Sequence, residues 1–560
     1  MKRYFLFLTA IFYILPLFSQ IEGNGEPIVT PLGNPLKPAK NAIIMIADGW
    51  SINHITMTNF YEGKYQIYQS DAFDFSAFMS TFPYGGSYDS TLACSDSLYV
   101  RIGSITDSAA AGTAMATGVK TYNGAININI DQETELTTSS QLAGESGRST
   151  GVVSTTIFTD ATPATFGGAH HVTRANGTLE NDVEIAREML FDTKLSVILS
   201  AGNPDYDYDG NEITDSVSGY EMGGYDLWQG IKDANYSLTS FDDQTVKDID
   251  EDGNVDTWTV IHTKDDFLKA ANGELLPKRL FGLADAKSVL QRYWGDGNTF
   301  EPSISLDKVP TLAEMSSAAL NVLSQNHKGF YLMIEGANVD KASHAAANDP
   351  HRGIAVIREM SDFNRAVEKV VEWVNTYSNW EETLLIVTGD HETGYLTAPN
   401  DYEDLGINEN NGKGVEPAYY FHSYTHTNQL IPVYAKGVNA ERLTDYCSNV
   451  DIKRGKYLDN TDLSKLINAG FGVKTQPEKS NNITANQIWI ESNKNQITIR
   501  SSSNNPIQMI CAYNLNGSII KKIEKLGVSY YSFTPDKRNQ MLLLKVVTEK
   551  AVKNQKIFCL

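Results

Sequence analysis

"NAIIMIADGW", residues 41 to 50, decides how the rest of the chain is read. An unbroken apolar run ends abruptly in an acid, Asp48. Runs this short, without polar alternation, fit strands covered on both faces, the habit of parallel sheets flanked by helices. Five more runs share the texture: "GVVSTT" (151–156), "SVILSAG" (196–202), "GFYLMIE" (329–335), "TLLIVTG" (383–389) and "LIPVYAKG" (430–437). Helical patterns lie between them. "PTLAEMSSAALNVLSQNHKG" opens with Thr311 and Glu314 at capping-box spacing and is expected to close at Gly329. A longer helix is expected from Asp349-Pro350, with Val356, Met360, Phe363, Val367, Val370 and Val374 forming one core-facing stripe. The alternation predicts an α/β fold: a mostly parallel central sheet with helices on both faces.

At 560 residues the chain exceeds one ordinary domain. Residues 203–300, rich in Asp, Gly, Asn and Tyr, read as an insertion over the core within a catalytic domain spanning 21–475. A polar linker at 476–485 leads to period-two segments over 486–560, with Asn516-Gly517 as a hairpin signal. That tail is expected to be a small all-β, sandwich-like module. Lys2 and Arg3 precede "YFLFLTAIFYILPLF", a run short for a membrane span and interrupted by Pro16. Residues 1–20 therefore read as a signal peptide, processed near Gln20. No later segment is long and apolar enough to span a bilayer, so an exported protein is expected, in the periplasm, at the cell surface or outside. The four cysteines (Cys94, Cys447, Cys511, Cys559) are too far apart in sequence to fix a pairing. A net charge of −22 argues against nucleic acid as a partner, and an anionic substrate would need local positive charge at its site.

That charge has a candidate source. Past the apolar runs stand Asp48, then Glu335, Asp340 and His344 in "FYLMIEGANVDKASHAA", then Asp390 and His391 in "LLIVTGDHETG". Open α/β sheets bind ligands at the carboxyl ends of their strands. One acid after a strand is usually a turn or helix cap. Acids and imidazoles at three strand ends together point to metal: mixed His and carboxylate sets suit zinc, oxygen sets suit magnesium. "HSYTHTNQL" adds His422 and His426.

Residues 41 to about 437 closely resemble the alkaline phosphatases, through "ADG", "TDSAAAGTAMATGVKTYNGA", "DATPATFGGAHHVTR", "IEGANVDKASHAA", "VTGDHETG" and "HTNQLIPVYAKG" in the family's order. The resemblance implies a phosphate monoester hydrolase that works through a phosphoserine at Ser108. It implies one zinc held by Asp48, Asp390 and His391 and a second held by Asp340, His344 and His426. A magnesium ion would lie among Asp48, Asp160, Thr162 and Glu335. Arg174 would grip the phosphate with Lys341 beside it, and Asp107 would orient Arg174. Three divalent cations would balance five carboxylates and a serine alkoxide, leaving Arg174 to make the site positive. His422 has no counterpart and is expected only to pack or bind water. Trp50, where the family usually continues with glycine, is expected to narrow the approach to the metals or reshape the loop.

Ser108 opens "SAAAGTAMAT", whose small side chains suit a helix buried tightly below a crowded site, its N-terminus favouring an anion. The same superfamily leaves a phosphodiesterase or sulfatase as the alternative, and a calcium-loaded adhesin on an inactive core as a remoter one. "DYDYDGNEITD" (205–215) and "DIDEDGNVD" (248–256) have the opening of calcium loops, the second with Thr259 where a closing Glu is needed. The C-terminal module resembles the sorting domain that type IX secretion systems recognise; a carbohydrate-binding or stabilising module is the alternative. A homodimer is left open.

Overall fold

The computed structural model describes residues 28–560 except 96, 174–178, 214–223, 233–247, 291–307, 349–351, 400–405, 408, 474–487, 493–496, 502–505, 514–518, 529, 535–539, 549–551 and 560. The expected signal peptide, Arg174, the linker, the Asp349-Pro350 helix start and the Asn516-Gly517 turn lie outside the described residues.

The strands up to residue 459 are β1 (Asn41–Ala47), β2 (Phe75–Ser80), β3 (Ser149–Ile157), β4 (Leu195–Ala201), β5 (Thr259–Ile261), β6 (Leu280–Leu283), β7 (Phe330–Gly336), β8 (Thr383–Thr388), β9 (Glu392–Thr393), β10 (Leu396–Thr397), β11 (Tyr420–Phe421), β12 (His426–Thr427), β13 (Ile431–Gly437), β14 (Asn449–Asp451) and β15 (Gly455–Asp459). One sheet of eleven takes the order β14-β15-β2-β13-β8-β1-β7-β3-β4-β6-β5. From β8 through β5 it is parallel throughout, whereas β13 joins antiparallel between β8 and β2. The fold is the α/β architecture expected, with a mixed edge.

Every residue of β1 is buried, and its side chains divide by the strand's period of two. Ile43, Met45 and Ala47 enter one apolar core; Ala42, Ile44 and Ile46 enter the other. Water reaches neither face, which is why the run shows no alternation. Burying each isoleucine contributes about 1.5–3 kcal/mol. The stripe on the Gly353–Tyr377 helix is likewise fully buried.

Some boundaries differ from expectation. The Leu312–Leu323 helix begins with the expected box, Thr311 N–H donating to Glu314 Oε2 at 2.7 Å and Glu314 N–H to Thr311 Oγ1 at 3.2 Å, but it caps at Ser324. Gly329 lies past a turn, at φ +96°, packed against the Lys40 backbone at the entrance to β7. The stretch 203–300 is also more than an insertion over the core. It supplies β5 and β6 to the sheet edge and buries Trp228, Trp258, Phe281 and Arg279. Its acidic loops mask two short strands whose apolar content is too small to stand out.

The Ser108–Thr117 helix is buried from Ala109 through Thr117. A side chain on Gly112 would overlap Thr165 Oγ1, on the neighbouring Ala161–Gly167 helix. Gly112→Val is therefore expected to cost about 1–3 kcal/mol through overpacking, read as a lower Tm.

The C-terminal residues form two antiparallel sheets of their own. One comprises β16 (Ile488–Ser492), β17 (Ile497–Ser501) and β20 (Tyr530–Phe533); the other comprises β18 (Ile507–Tyr513), β19 (Ile519–Val528), β21 (Gln540–Thr548) and β22 (Val552–Cys559). They share a separate apolar core around Ile499, Ile510 and Leu544.

Candidate active site

The parallel register brings the ligand-type residues to one edge. Ile46 lies opposite both Glu335 and Thr388, and Ser154 opposite Glu335. Asp48, Glu335 and the Asp390-His391 pair therefore emerge side by side at the carboxyl ends of β1, β7 and β8. The Asn338–Asn348 helix places Asp340 and His344 one turn apart. The short pairing of β12 with β9 sets His426 opposite Thr393.

Two clusters result. Asp48, Asp390 and His391 offer ligand atoms within 4.8 Å of one another, as do Asp340, His391 and His426. His391 lies within reach of both groups, and the resemblance assigns it to the zinc with Asp48 and Asp390. His344 Nε2 stands 3.2 Å from Asp340 Oδ1, and His426 Nε2 is 3.5 Å from the same oxygen. The rings of His391 and His426 stack at 3.6 Å. The outer ring nitrogens are engaged: His344 Nδ1 by the Tyr424 carbonyl at 2.7 Å, His426 Nδ1 by the Thr106 carbonyl at 3.0 Å. A backbone carbonyl can only accept, so both Nδ1 atoms carry protons and both Nε2 atoms face the cluster, as metal ligands do.

Ser108 Oγ is 3.1 Å from His391 Nε2. Its helix is capped by Asp107, whose carboxylate accepts from Ala110 N–H at 2.8 Å, so Ser108 stands at the helix N-terminus as expected. Asp107 lies outside the metal clusters, and its partnership with Arg174 is not among the described contacts.

The electrostatics call for cations. Asp48 Oδ1, Asp390 Oδ2 and Thr162 Oγ1 are buried without a hydrogen-bond partner. Burial, then Asp390, Asp340 and Glu335, push the Asp48 carboxyl well up; burial pushes Asp390 to about 6. His391 is driven well down by burial and by His426. Burial lifts Glu335 to about 8, helped by Asp160. Divalent cations would relieve each of these at once, so the donor set fits metal.

The residues that the resemblance assigns to magnesium do not form a close group like the other two, although β3 and the turn after it anchor Glu335 and Asp160. Ser154 Oγ donates to Glu335 Oε2 at 2.5 Å, and Asp160 caps the Ala161–Gly167 helix through Ala161 N–H at 2.9 Å. Lys341 Nζ reaches Asp160 Oδ2 at 2.8 Å and Thr156 Oγ1 at 2.7 Å. Without metal, folded Glu335 keeps a proton that the unfolded chain releases above about pH 4.5. That stabilisation is complete below this pH and is lost as pH rises to about 8. The Tm of chelator-treated protein is expected to fall across that window, and Glu335→Gln to flatten the fall.

Trp50 does not border the approach. It is fully buried, packed edge-on against Phe363 at 5.5 Å and tilted against Tyr68 at 5.6 Å, because the turn after Asp48 aims it into the core. His422 packs beside Tyr420 and Tyr395 and contacts Thr397 Oγ1 at 2.7 Å, away from both clusters. In the Asp-rich loops, Lys232 Nζ binds Asp205 at 2.7 Å, and Lys278 Nζ binds Asp250 at 2.6 Å and Asp256 at 2.7 Å. Asp248, Asp250 and Asp256 bring oxygens within 4.8 Å of one another, and one lysine at each loop supplies part of the compensating charge. Sequence reasoning passed over Glu392 and Thr393, although they directly follow two ligand candidates in "GDHETG".

The family model described as alkaline phosphatase matches residues 39–415. The chain belongs to the alkaline phosphatase family. An alkaline phosphatase of Escherichia coli is 28% identical over 471 residues, covering 78% of this chain and 87% of the relative. Alkaline phosphatase H of Pseudomonas aeruginosa is 27% identical, covering 74% and 84%. Among solved structures, a cold-active alkaline phosphatase from a psychrophilic Shewanella has a TM-score of 0.51 at 23% identity, covering 77% of this chain and 99% of that one. The Thermus thermophilus alkaline phosphatase has a TM-score of 0.52 at 18% identity, covering 78% and 92%. These likenesses support the fold, and family membership makes the chain a phosphomonoesterase of this superfamily. Among the described residues no helix is long and apolar enough to cross a membrane.

Proposed function

We propose that this alkaline phosphatase hydrolyses phosphate monoesters through a covalent phosphoserine at Ser108. The observation that carries the reading is Ser108 Oγ, at a helix N-terminus and 3.1 Å from His391 Nε2, which lies within reach of both ligand clusters. Zinc would be held by Asp48, Asp390 and His391 and by Asp340, His344 and His426, and magnesium by Asp48, Asp160, Thr162 and Glu335. When bound, such cations lower the pKa of an oxygen nucleophile and stabilise the entering and leaving oxygens of an in-line phosphoryl transfer.

The chain's own groups do the rest. Free N–H groups at the start of the Ser108 helix favour the incoming phosphate. Arg174 would fork onto two phosphate oxygens, which a lysine could not match. Lys341, held by Asp160, adds positive charge beside them. Arg174 together with a cation held by Asp160, Thr162 and Glu335 would favour monoesters over the diester or sulfate alternative, because their positive charge would compensate the dianion.

The basic start and apolar run of residues 1–20 support export, and the polar linker and separate β core support a C-terminal module over 486–560 that serves secretion. Calcium is not part of the proposal, since Lys232 already pairs with Asp205 and Lys278 with Asp250 and Asp256. Purified protein is expected to contain about two zinc and one magnesium per chain and to cleave an aryl monoester at least about a hundredfold faster than the matching diester. Faster diester or sulfate cleavage would overturn the substrate assignment.

A further inference from the structure

We infer that Thr393 and Glu392 are positioning residues that set the histidine tautomer and lock the strand on which the two ligand clusters meet. The inference deepens the proposed function and rests on its reading of those clusters as metal ligands.

Thr393 Oγ1 donates its only proton to Asp340 Oδ1 and lies 3.4 Å from His391 Nδ1. With that proton committed, the hydroxyl can only accept from the ring, so Nδ1 carries the hydrogen. The lone pair of His391 is then on Nε2, the atom that faces Ser108 Oγ at 3.1 Å and Asp390 Oδ2 at 3.2 Å. One hydroxyl thus orients a carboxylate of one cluster and selects the tautomer of the histidine within reach of both. Its backbone is pinned as well, Thr393 N–H donating to the Gly49 carbonyl at 2.9 Å. Gly49, at φ +80°, lies so close that a Cβ would stand 2.7 Å from Asp340 Cα and 2.8 Å from Thr393 Oγ1. The three ligand-bearing segments therefore converge on Thr393.

Glu392 secures the remaining segment. Its fully buried carboxylate accepts Thr427 Oγ1 on β12 and Leu396 N–H at 3.0 Å. Thr427 lies opposite Glu392 and His426 opposite Thr393, so this bond fixes the two-residue strand that stacks His426 on His391. Such a short pairing is too small to hold register alone.

The test uses the full chain and zinc titration of metal-free protein, with nitrogen-15 NMR of the histidine side chains. Thr393→Val, which keeps the shape and removes the hydroxyl, is expected to weaken zinc about 10–100-fold and to lose the single Nδ1–H tautomer at His391. Thr393→Ser is expected to restore both. Glu392→Ala is expected to weaken zinc similarly and Glu392→Gln much less, since an amide oxygen still accepts. Wild-type zinc affinity and tautomer in Thr393→Val, or wild-type affinity in Glu392→Ala, would overturn the corresponding half. A folded Thr393→Ser as impaired as Thr393→Val would also overturn it, by reducing the role to packing. The tautomer is read without metal. A wild type that shows it yet takes up no zinc would therefore overturn the proposed function and leave the hydrogen-bond assignment standing.

Discussion

Ser108→Ala is expected to lose on the order of 10⁴-fold or more in kcat for an aryl phosphate monoester while keeping its metal content. Both halves of the result follow from the geometry. Ser108 is the hydroxyl beside the clusters at a helix N-terminus, 3.1 Å from His391 Nε2, so its oxygen is the atom placed to attack. The imidazoles and carboxylates meet without it, and removing one hydroxyl leaves those two groups of three intact. Capture of radiolabelled phosphate on the wild type but not the variant would locate the covalent step. Turnover within about tenfold of wild type would mean the attacking oxygen comes from elsewhere, such as water, and would remove the phosphoserine from the reading.

The second large effect is expected at His391. This residue is fully buried, lies within reach of both clusters and has one Nε2 lone pair to give, so His391→Ala should empty the position it shares with Asp48 and Asp390 and reduce turnover as far as Ser108→Ala does. His344 gives the contrast. It touches Asp340 from the rim, with a side chain 34% exposed, so His344→Ala should weaken one position and leave the other filled. Elemental analysis distinguishes the two patterns, and added zinc should rescue His344→Ala alone. Full zinc content in His391→Ala would show that His391 is not a ligand.

Much of this site was legible because its residues sit in local patterns. Strand ends announce themselves when an apolar run stops at an acid, as at Asp48, Glu335 and Asp390, and the helix start at Ser108 is marked by the acid before it. Trp50 is the opposite case. A bulky residue two positions after a ligand looks as though it should shape the site, and only the direction of the turn shows it entering the core. Glu392 and Thr393 were overlooked because their partners, Thr427 and Asp340, are distant in the chain. Strands β5 and β6 were hidden by the acidic loops around them, since a few apolar residues carry too little periodic signal.

The sequence by itself determined the α/β class, the identity of the ligand-type side chains and the helix that presents Ser108, because each depends on neighbours a few residues apart. The tertiary structure decided that His391 lies within reach of two clusters, that Trp50 faces inward and that one threonine hydroxyl links Asp340 to His391. Those facts depend on strand order, register and side-chain direction, which arise only when segments tens to hundreds of residues apart are packed against one another.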